Sequence, residues 1–273
     1  MTPLVDIGAN LGNKAFREDR RAVVARARAA GVGTIVVTGT SVPASIAAAD
    51  IARSDADLGV ELASTAGIHP HDAKSSGPRA IETLRELCAR DEVVAVGECG
   101  LDYDRDFSPR PAQRACFEAQ LELAAELRLP VFLHERAAHA DFVAIVARHR
   151  HRLVAAVAHC FTGTADEARA YRDLDLHLGI TGWICDERRG RHLDAIVREI
   201  PADRLMIETD APFLLPRDLA TPPASRRNEP ALLPHVLARV ARARGEPAGA
   251  LAASTTACAR AFFGLQGSGA SSS

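Results

Sequence analysis

The chain has 273 residues, 47% of them hydrophobic and 4% aromatic, and a formal net charge of −2. That length and apolar share suit one sizeable core filled mainly by Ala, Val and Leu. The near-neutral charge excludes a surface coated in positive charge for non-specific duplex binding; a polyanionic substrate would need a local cluster of arginines and metal.

Short apolar runs alternate with helical patterns from end to end. Residues 4–8 predict a first strand, followed by a helix within 15–30 that stops at Gly31. Residues 34–38 form the second strand, with a helix from about Pro43 to Ser54. The third, 64–68, runs into His69-Pro70-His71-Asp72, and a helix covers 79–90. The fourth, 93–97, precedes a loop with Asp102, Asp104 and Asp106 and a long helix over about 109–127, where Pro109 suits the first turn. Strand five is 131–133, with a helix after Ala137; strand six is 154–158, with a helix over 165–174 that begins behind Thr164. Strand seven is 176–181, with a helix around 189–199. Strand eight is 205–209, followed by a long polar loop and helices near 230–244 and 247–263. Eight strands alternating with helices predict a single-domain α/β fold, a (β/α)8 TIM barrel over residues 1–266. The Gly/Ser tail at 267–273 is expected to be disordered.

The six cysteines form no C-x-x-C pair and no compact framework, as in a cytosolic protein with reduced thiols. The N-terminus lacks the features of a signal peptide, and no segment approaches 18 uninterrupted apolar residues. A cytoplasmic protein without a membrane span is expected.

Chemistry concentrates where the strands end. Strands four, five, six and eight lead into Glu98, His134, His159 and Asp210, and strand three into His69. In a parallel barrel these positions share one mouth, where the active sites of such barrels lie. Carboxylates mixed with imidazoles suit Mg²⁺, Mn²⁺ or Zn²⁺. Cys99 and Cys160 directly follow two of these residues, so strand alternation points their thiols elsewhere. No glycine-rich phosphate loop, dinucleotide fingerprint or G-x-S-x-G is present. Arg188, Arg189 and Arg191 follow strand seven, and Arg217, Arg226 and Arg227 follow strand eight, where barrels often hold phosphate. Arg188, Arg189, Arg226 and Arg227 are the candidate phosphate contacts. Trp183 at the same end could stack a base or simply pack.

These residues, and the stretches around them, resemble the TatD family of metal-dependent deoxyribonucleases, within the amidohydrolase-like barrels. The resemblance runs from Val5 to about Gly264. Its most specific runs are Ala66–His71, Val96–Asp102, His159–Gly163, Gly179–Trp183, Ile207–Pro212 and Ser225–Pro230. It implies a Mg²⁺-dependent nuclease that trims single-stranded DNA or RNA from the 3′ end, with family roles in DNA repair; a monomer is expected. It also implies metal ligation by Glu98, His134 and His159, with Asp210 as ligand or general base. In that scheme His69 stabilises the phosphate or protonates the leaving oxygen.

Two departures stand out. Many relatives carry Asp-x-His-x-His on strand one, where this chain has Asp6-Ile7-Gly8-Ala9-Asn10. Gly8 cannot ligate, and Asn10 offers only an amide oxygen. Relatives also tend to place an aspartate three residues after the strand-five histidine, where this chain has Ala137. Glu135 either compensates or points outward. The rival readings are a metal-dependent hydrolase of another ester (a small ester or lactone, or an aminoacyl-tRNA) and a non-catalytic barrel that binds nucleic acid or a partner. The arginine cluster argues against the first and the intact ligand set against the second.

Overall fold

The computed structural model describes residues 2–55 and 58–265. Eight parallel strands follow one another in sequence order around a single sheet. They are β1 (Leu4–Ala9), β2 (Val32–Val37), β3 (Glu61–Ala66), β4 (Val93–Asp102), β5 (Val131–Arg136), β6 (Ala156–Ala158), β7 (His177–Ile180) and β8 (Leu205–Ile207). Seven helices connect them: α1 (Arg20–Ala29), α2 (Val42–Ser54), α3 (Pro78–Cys88), α4 (Arg110–Leu127), α5 (His139–His149), α6 (Ala165–Asp173) and α7 (Leu193–Glu199). Two more, α8 (Leu233–Arg244) and α9 (Ala248–Phe263), follow β8. The ring closes at a parallel bridge between Ala9 and Ala211. There the Asp210 amide donates to Gly8 O at 2.8 Å and the Asn10 amide to Ala211 O at 2.7 Å. The expected (β/α)8 barrel is therefore observed, and the tail at 267–273 lies outside the described residues.

Local sequence explains the helix limits. Ser41 Oγ accepts from the Ala44 amide to start α2, and Thr164 with Glu167 forms a reciprocal capping box on α6. Gly245 and Gly264 end α8 and α9 in the left-handed conformation. Val5, Ile7, Val36, Ala95, Phe132, Val157 and Met206 form one apolar cluster with Cys258, Ala259, Phe262 and Phe263 of α9. Full burial of a side chain such as Phe132 contributes roughly 1.5–3 kcal/mol. A larger apolar layer lies between the sheet and the helices.

The largest departure from the predicted strand limits is β4. Instead of stopping at Gly97 it continues to Asp102, with a register shift against β5 between Gly97 and Cys99. Gly100 makes the continuation possible: its φ is +146°, and a Cβ there would collide with the His134 carbonyl oxygen. Glu98 thus sits within a strand rather than at its end.

Candidate metal centre

Glu98 comes from the bulged part of β4, and its side chain is almost fully buried. Its Oε1 lies 2.8 Å from His159 Nε2, 2.9 Å from His134 Nδ1 and 3.3 Å from His69 Nε2. Burial alone would raise the Glu98 pKa. The charges of His159 and His69 and hydrogen bonds from His134 and His159 outweigh it, holding the carboxyl well below the usual range. His134 lies on β5, and His159 directly follows β6. His69 lies three residues beyond β3, where its Nδ1 accepts from the His71 amide at 3.1 Å.

Hydrogen bonding separates the roles of the three imidazoles. Because His69 Nδ1 accepts, a neutral His69 carries its proton on Nε2, so that nitrogen faces Glu98 as a donor. Burial pushes the His69 pKa down and so favours this neutral form. His159 instead lies between two acids, with Nδ1 3.3 Å from Glu208 Oε2 and Nε2 on Glu98. Burial disfavours its charge, but Glu98 and Glu208 raise its pKa well above the ordinary histidine value. His134 Nε2 is buried without a hydrogen-bond partner, 3.6 Å from Asp102 Oδ2. A partnerless imidazole nitrogen, a low-pKa carboxylate and a histidine between two carboxylates, which gives up its extra proton on binding, form a donor set that fits a divalent cation.

Asp210 approaches from the β8–β1 side. It follows β8 at φ +52°, and its Oδ1 accepts from Asn10 Nδ2 at 3.1 Å. Burial raises its pKa to about 8; the neighbouring acids Glu98 and Glu208 add to the rise, while His159 opposes it. Asn10 therefore serves as a hydrogen-bond donor to Asp210. Gly8 leaves room for an acid: a Cβ there would lie 2.6 Å from Glu208 Oε2.

Several supporting residues were not singled out from sequence. Glu208, fully buried, bridges His159 Nδ1 and the Cys160 amide, the latter at 2.5 Å. Its signal was its place two residues before Asp210, within the run 205–209 that the sequence reads as strand eight. Gln113 and Gln120 lie on the buried face of α4. Gln113 pairs with both backbone groups of Asp102, and Gln120 with both of Ile68, next to His69. Asp102 in turn accepts from His71 Nε2 at 2.8 Å. Only seven-residue spacing marked the glutamines, and spacing alone does not reveal what a side chain will hold.

The arginines divide. Arg189 pairs with Asp186 at 3.0 Å and lies over the Trp183 ring at 4.3 Å. Arg227 pairs with Asp19 at 2.7 Å and lies over Phe16 at 4.7 Å. Arg217 also approaches Asp186, at 3.3 Å. Arg188, Arg191 and Arg226 are exposed, and their side chains make no ion pair among the described residues. Glu135 turns inward: its Oε1 accepts from the Ala138 amide at 2.7 Å and its Oε2 from Tyr171 Oη at 2.9 Å. It thus caps the start of α5 beside Ala137. Cys160 has φ +48°, so alternation along β6 does not set its direction. Its Sγ lies 3.7 Å from Thr181 Oγ1, and burial, then Asp210 and Glu208, push the thiol well above its usual pKa. A protonated thiol is a poor nucleophile.

The family profile described as TatD related DNase matches residues 5–264. The protein named 3′-5′ ssDNA/RNA exonuclease TatD from Klebsiella pneumoniae (strain 342) is 51% identical over 266 residues, 97% of this chain and 100% of that protein. The protein of the same name from Cronobacter sakazakii is 52% identical over 260 residues, 95% of this chain and 97% of that one. Among solved structures, YJJV, a TatD homologue from Escherichia coli K12, aligns with TM-score 0.88 and 27% identity, covering 97% of this chain and 99% of that one.

Proposed function

The chain belongs to the TatD related DNase family, and from that membership we propose a divalent-metal-dependent nuclease that removes nucleotides from the 3′ end of single-stranded DNA or RNA. The observation that carries the reading is the convergence of His69, His134 and His159 on one oxygen of Glu98. In this reading Glu98, His134, His159 and Asp210 hold the metal. Mg²⁺ is the ion we assign, because substrate phosphates supply the further oxygens it prefers; the donors also suit Mn²⁺ and Zn²⁺. A bound ion supplies Lewis acidity at the phosphoryl oxygen and acidifies a coordinated water.

The side chains supply the remaining functions. Asp210, one of its oxygens held by Asn10, accepts a proton from the attacking water once it is itself ionised. His69, whose Nε2 proton faces Glu98 here, turns it to the scissile phosphate or to the leaving oxygen when substrate binds. Glu208 holds His159 in orientation. Of the arginines, Arg188 and Arg226, which make no ion pair among the described residues, suit phosphate contacts. Arg189 and Arg227 already have acidic partners and instead brace the loops. Exposed Phe107 lies edge-on to His71, with ring centroids 4.7 Å apart. Exposed Phe213 follows in the turn after Asp210. These two rings offer stacking surfaces for unpaired bases. The ligand set lies within one chain, in keeping with a monomer. Six unpaired cysteines support a reducing cytoplasm, and no described helix is long and apolar enough to cross a membrane.

The test uses single strands labelled at the 5′ end. We expect a ladder that shortens from the 3′ end, stops in EDTA and resumes when Mg²⁺ is restored in excess. Unchanged cleavage in chelator, or shortening from the 5′ end, would overturn the proposal.

A further inference from the structure

A second group of metal-compatible side chains lies where the loops after β7 and β8 meet α8. Cys185 ends the short helical turn after β7 and is buried. Asp218 belongs to the loop after β8, and His235 to the first turn of α8. The ligand atoms of the three all lie within 4.8 Å of one another, and His235 Nε2 is 2.6 Å from Asp218 Oδ1. We propose that Cys185, Asp218 and His235 form a second metal site, selective for a thiophilic ion of the zinc class, which fastens the two loops to α8.

The donor chemistry separates this site from the Glu98 centre. One sulfur, one nitrogen and one oxygen form a borderline-soft set that suits Zn²⁺ and discriminates against Mg²⁺. The Glu98 centre combines carboxylate with imidazole, and the nearby Cys160 thiol is turned to Thr181. Tetrahedral Zn²⁺ with these donors needs ligand atoms about 3.5 Å apart, so His235 and Asp218 would open slightly from 2.6 Å, and every other ligand pair already lies within 4.8 Å. The thiol is now protonated beside a carboxylate: burial, then Asp218, raises its pKa. Binding replaces that proton with the ion, releases it to solvent, breaks the His235–Asp218 hydrogen bond and leaves a fourth position for water. The nearby positive charges leave room for this. Arg239 is paired with Asp194 at 2.5 Å, and the well-exposed Arg242 stands 4.0 Å from Asp218 and is free to swing outward. The fastened loops carry Arg188 and Phe213, so occupancy would hold both near the mouth.

Cobalt is the probe, because Co²⁺ bound to a thiolate gives a near-ultraviolet charge-transfer band that a nitrogen and oxygen site does not. Titrating the metal-free full chain should produce the band with one equivalent of Co²⁺. Zn²⁺ should displace it, and excess Mg²⁺ should not. The band should persist in Glu98→Gln and Cys160→Ser, which separates this site from the proposed nuclease centre. It should vanish in Cys185→Ser. His235→Gln replaces a partly exposed side chain and guards against unfolding caused by the buried serine; it should weaken Co²⁺ binding at least tenfold. No band in the wild-type protein, a band that survives Cys185→Ser, or unchanged affinity in His235→Gln would overturn the proposal.

Discussion

On the β3–β6 side of the mouth, three imidazoles close on one carboxylate oxygen of Glu98. On the β8–β1 side, Asp6, Glu208 and Asp210 stand together, accompanied by Asn10, Thr209 and the side-chain-free Gly8. Both groups are removed from water, yet their acids respond in opposite directions. Surrounding imidazoles hold Glu98 ionised against burial. Burial carries Asp6 to about 7 and Asp210 to about 8, and neighbouring acids add to the rise in each. One side therefore stays charged and the other retains protons; in the proposed reading the first side holds the cation, and Asp210 joins it from the second once ionised.

Glu98→Gln tests the cation-holding side and carries the largest expected effect. It preserves shape while removing the charge at the centre, so activity should fall on the order of 10³-fold or more. Calorimetric titration with Mn²⁺ should lose the high-affinity event, while the circular dichroism spectrum stays unchanged. Retained binding and turnover would place the cation elsewhere.

The next test lies where the two sides touch. Glu208 belongs to the acidic group yet orients His159, and outer carboxylates of this kind typically contribute about 10–100-fold. Glu208→Gln should cost that much in activity. Gly8→Ala should reproduce the loss from the other direction, because its new Cβ would fall 2.6 Å from Glu208 Oε2. If both changes act through this carboxylate, the double variant should be little worse than the more damaged single variant. Fully multiplicative losses would show that Gly8 matters for some other reason.

This contrast bears on what the sequence made legible. Strand order and the convergence of Glu98, His134 and His159 followed from alternation, because a parallel barrel has one mouth and each apolar run ends near it. The limits of β4 did not follow. A glycine that permits a bulge looks the same in sequence as one that ends a strand, and Gly97, at φ +140°, permits one. Gly8 seemed a missing ligand because the residue that fills its space, Glu208, is 200 positions away. Neighbouring arginines illustrate the same limit. Arg226 makes no ion pair among the described residues while Arg227 is tied to Asp19, a distinction set by a partner on the approach to α1. Local pattern identifies which residues reach the mouth; contacts between distant segments decide which remain available there.

Asp6 gives the smallest effect and the sharpest test of the acidic side, because it reads out stability rather than turnover. Its Oδ2 accepts from Thr209 Oγ1 at 2.6 Å and its Oδ1 from the Thr209 amide at 2.9 Å, tying β1 to the end of β8. Burial is the main cause of its rise to about 7, with Glu208 adding to it and the Thr209 bonds opposing it. In the unfolded chain the same carboxyl titrates near pH ~4. Between those values the native state holds a proton that the unfolded state has released, so the stability due to Asp6 declines as pH rises from about 4 to 7 and then levels off. Asp6→Asn removes this titration and keeps an oxygen for Thr209. Urea unfolding in EDTA across that range should show the wild-type protein losing ground to the variant by about 1–3 kcal/mol. Other groups titrate in both proteins, so the difference between the two curves isolates Asp6. A pH-independent difference would mean that Asp6 is already ionised at pH 4 and that the β8–β1 side does not retain protons as its burial requires.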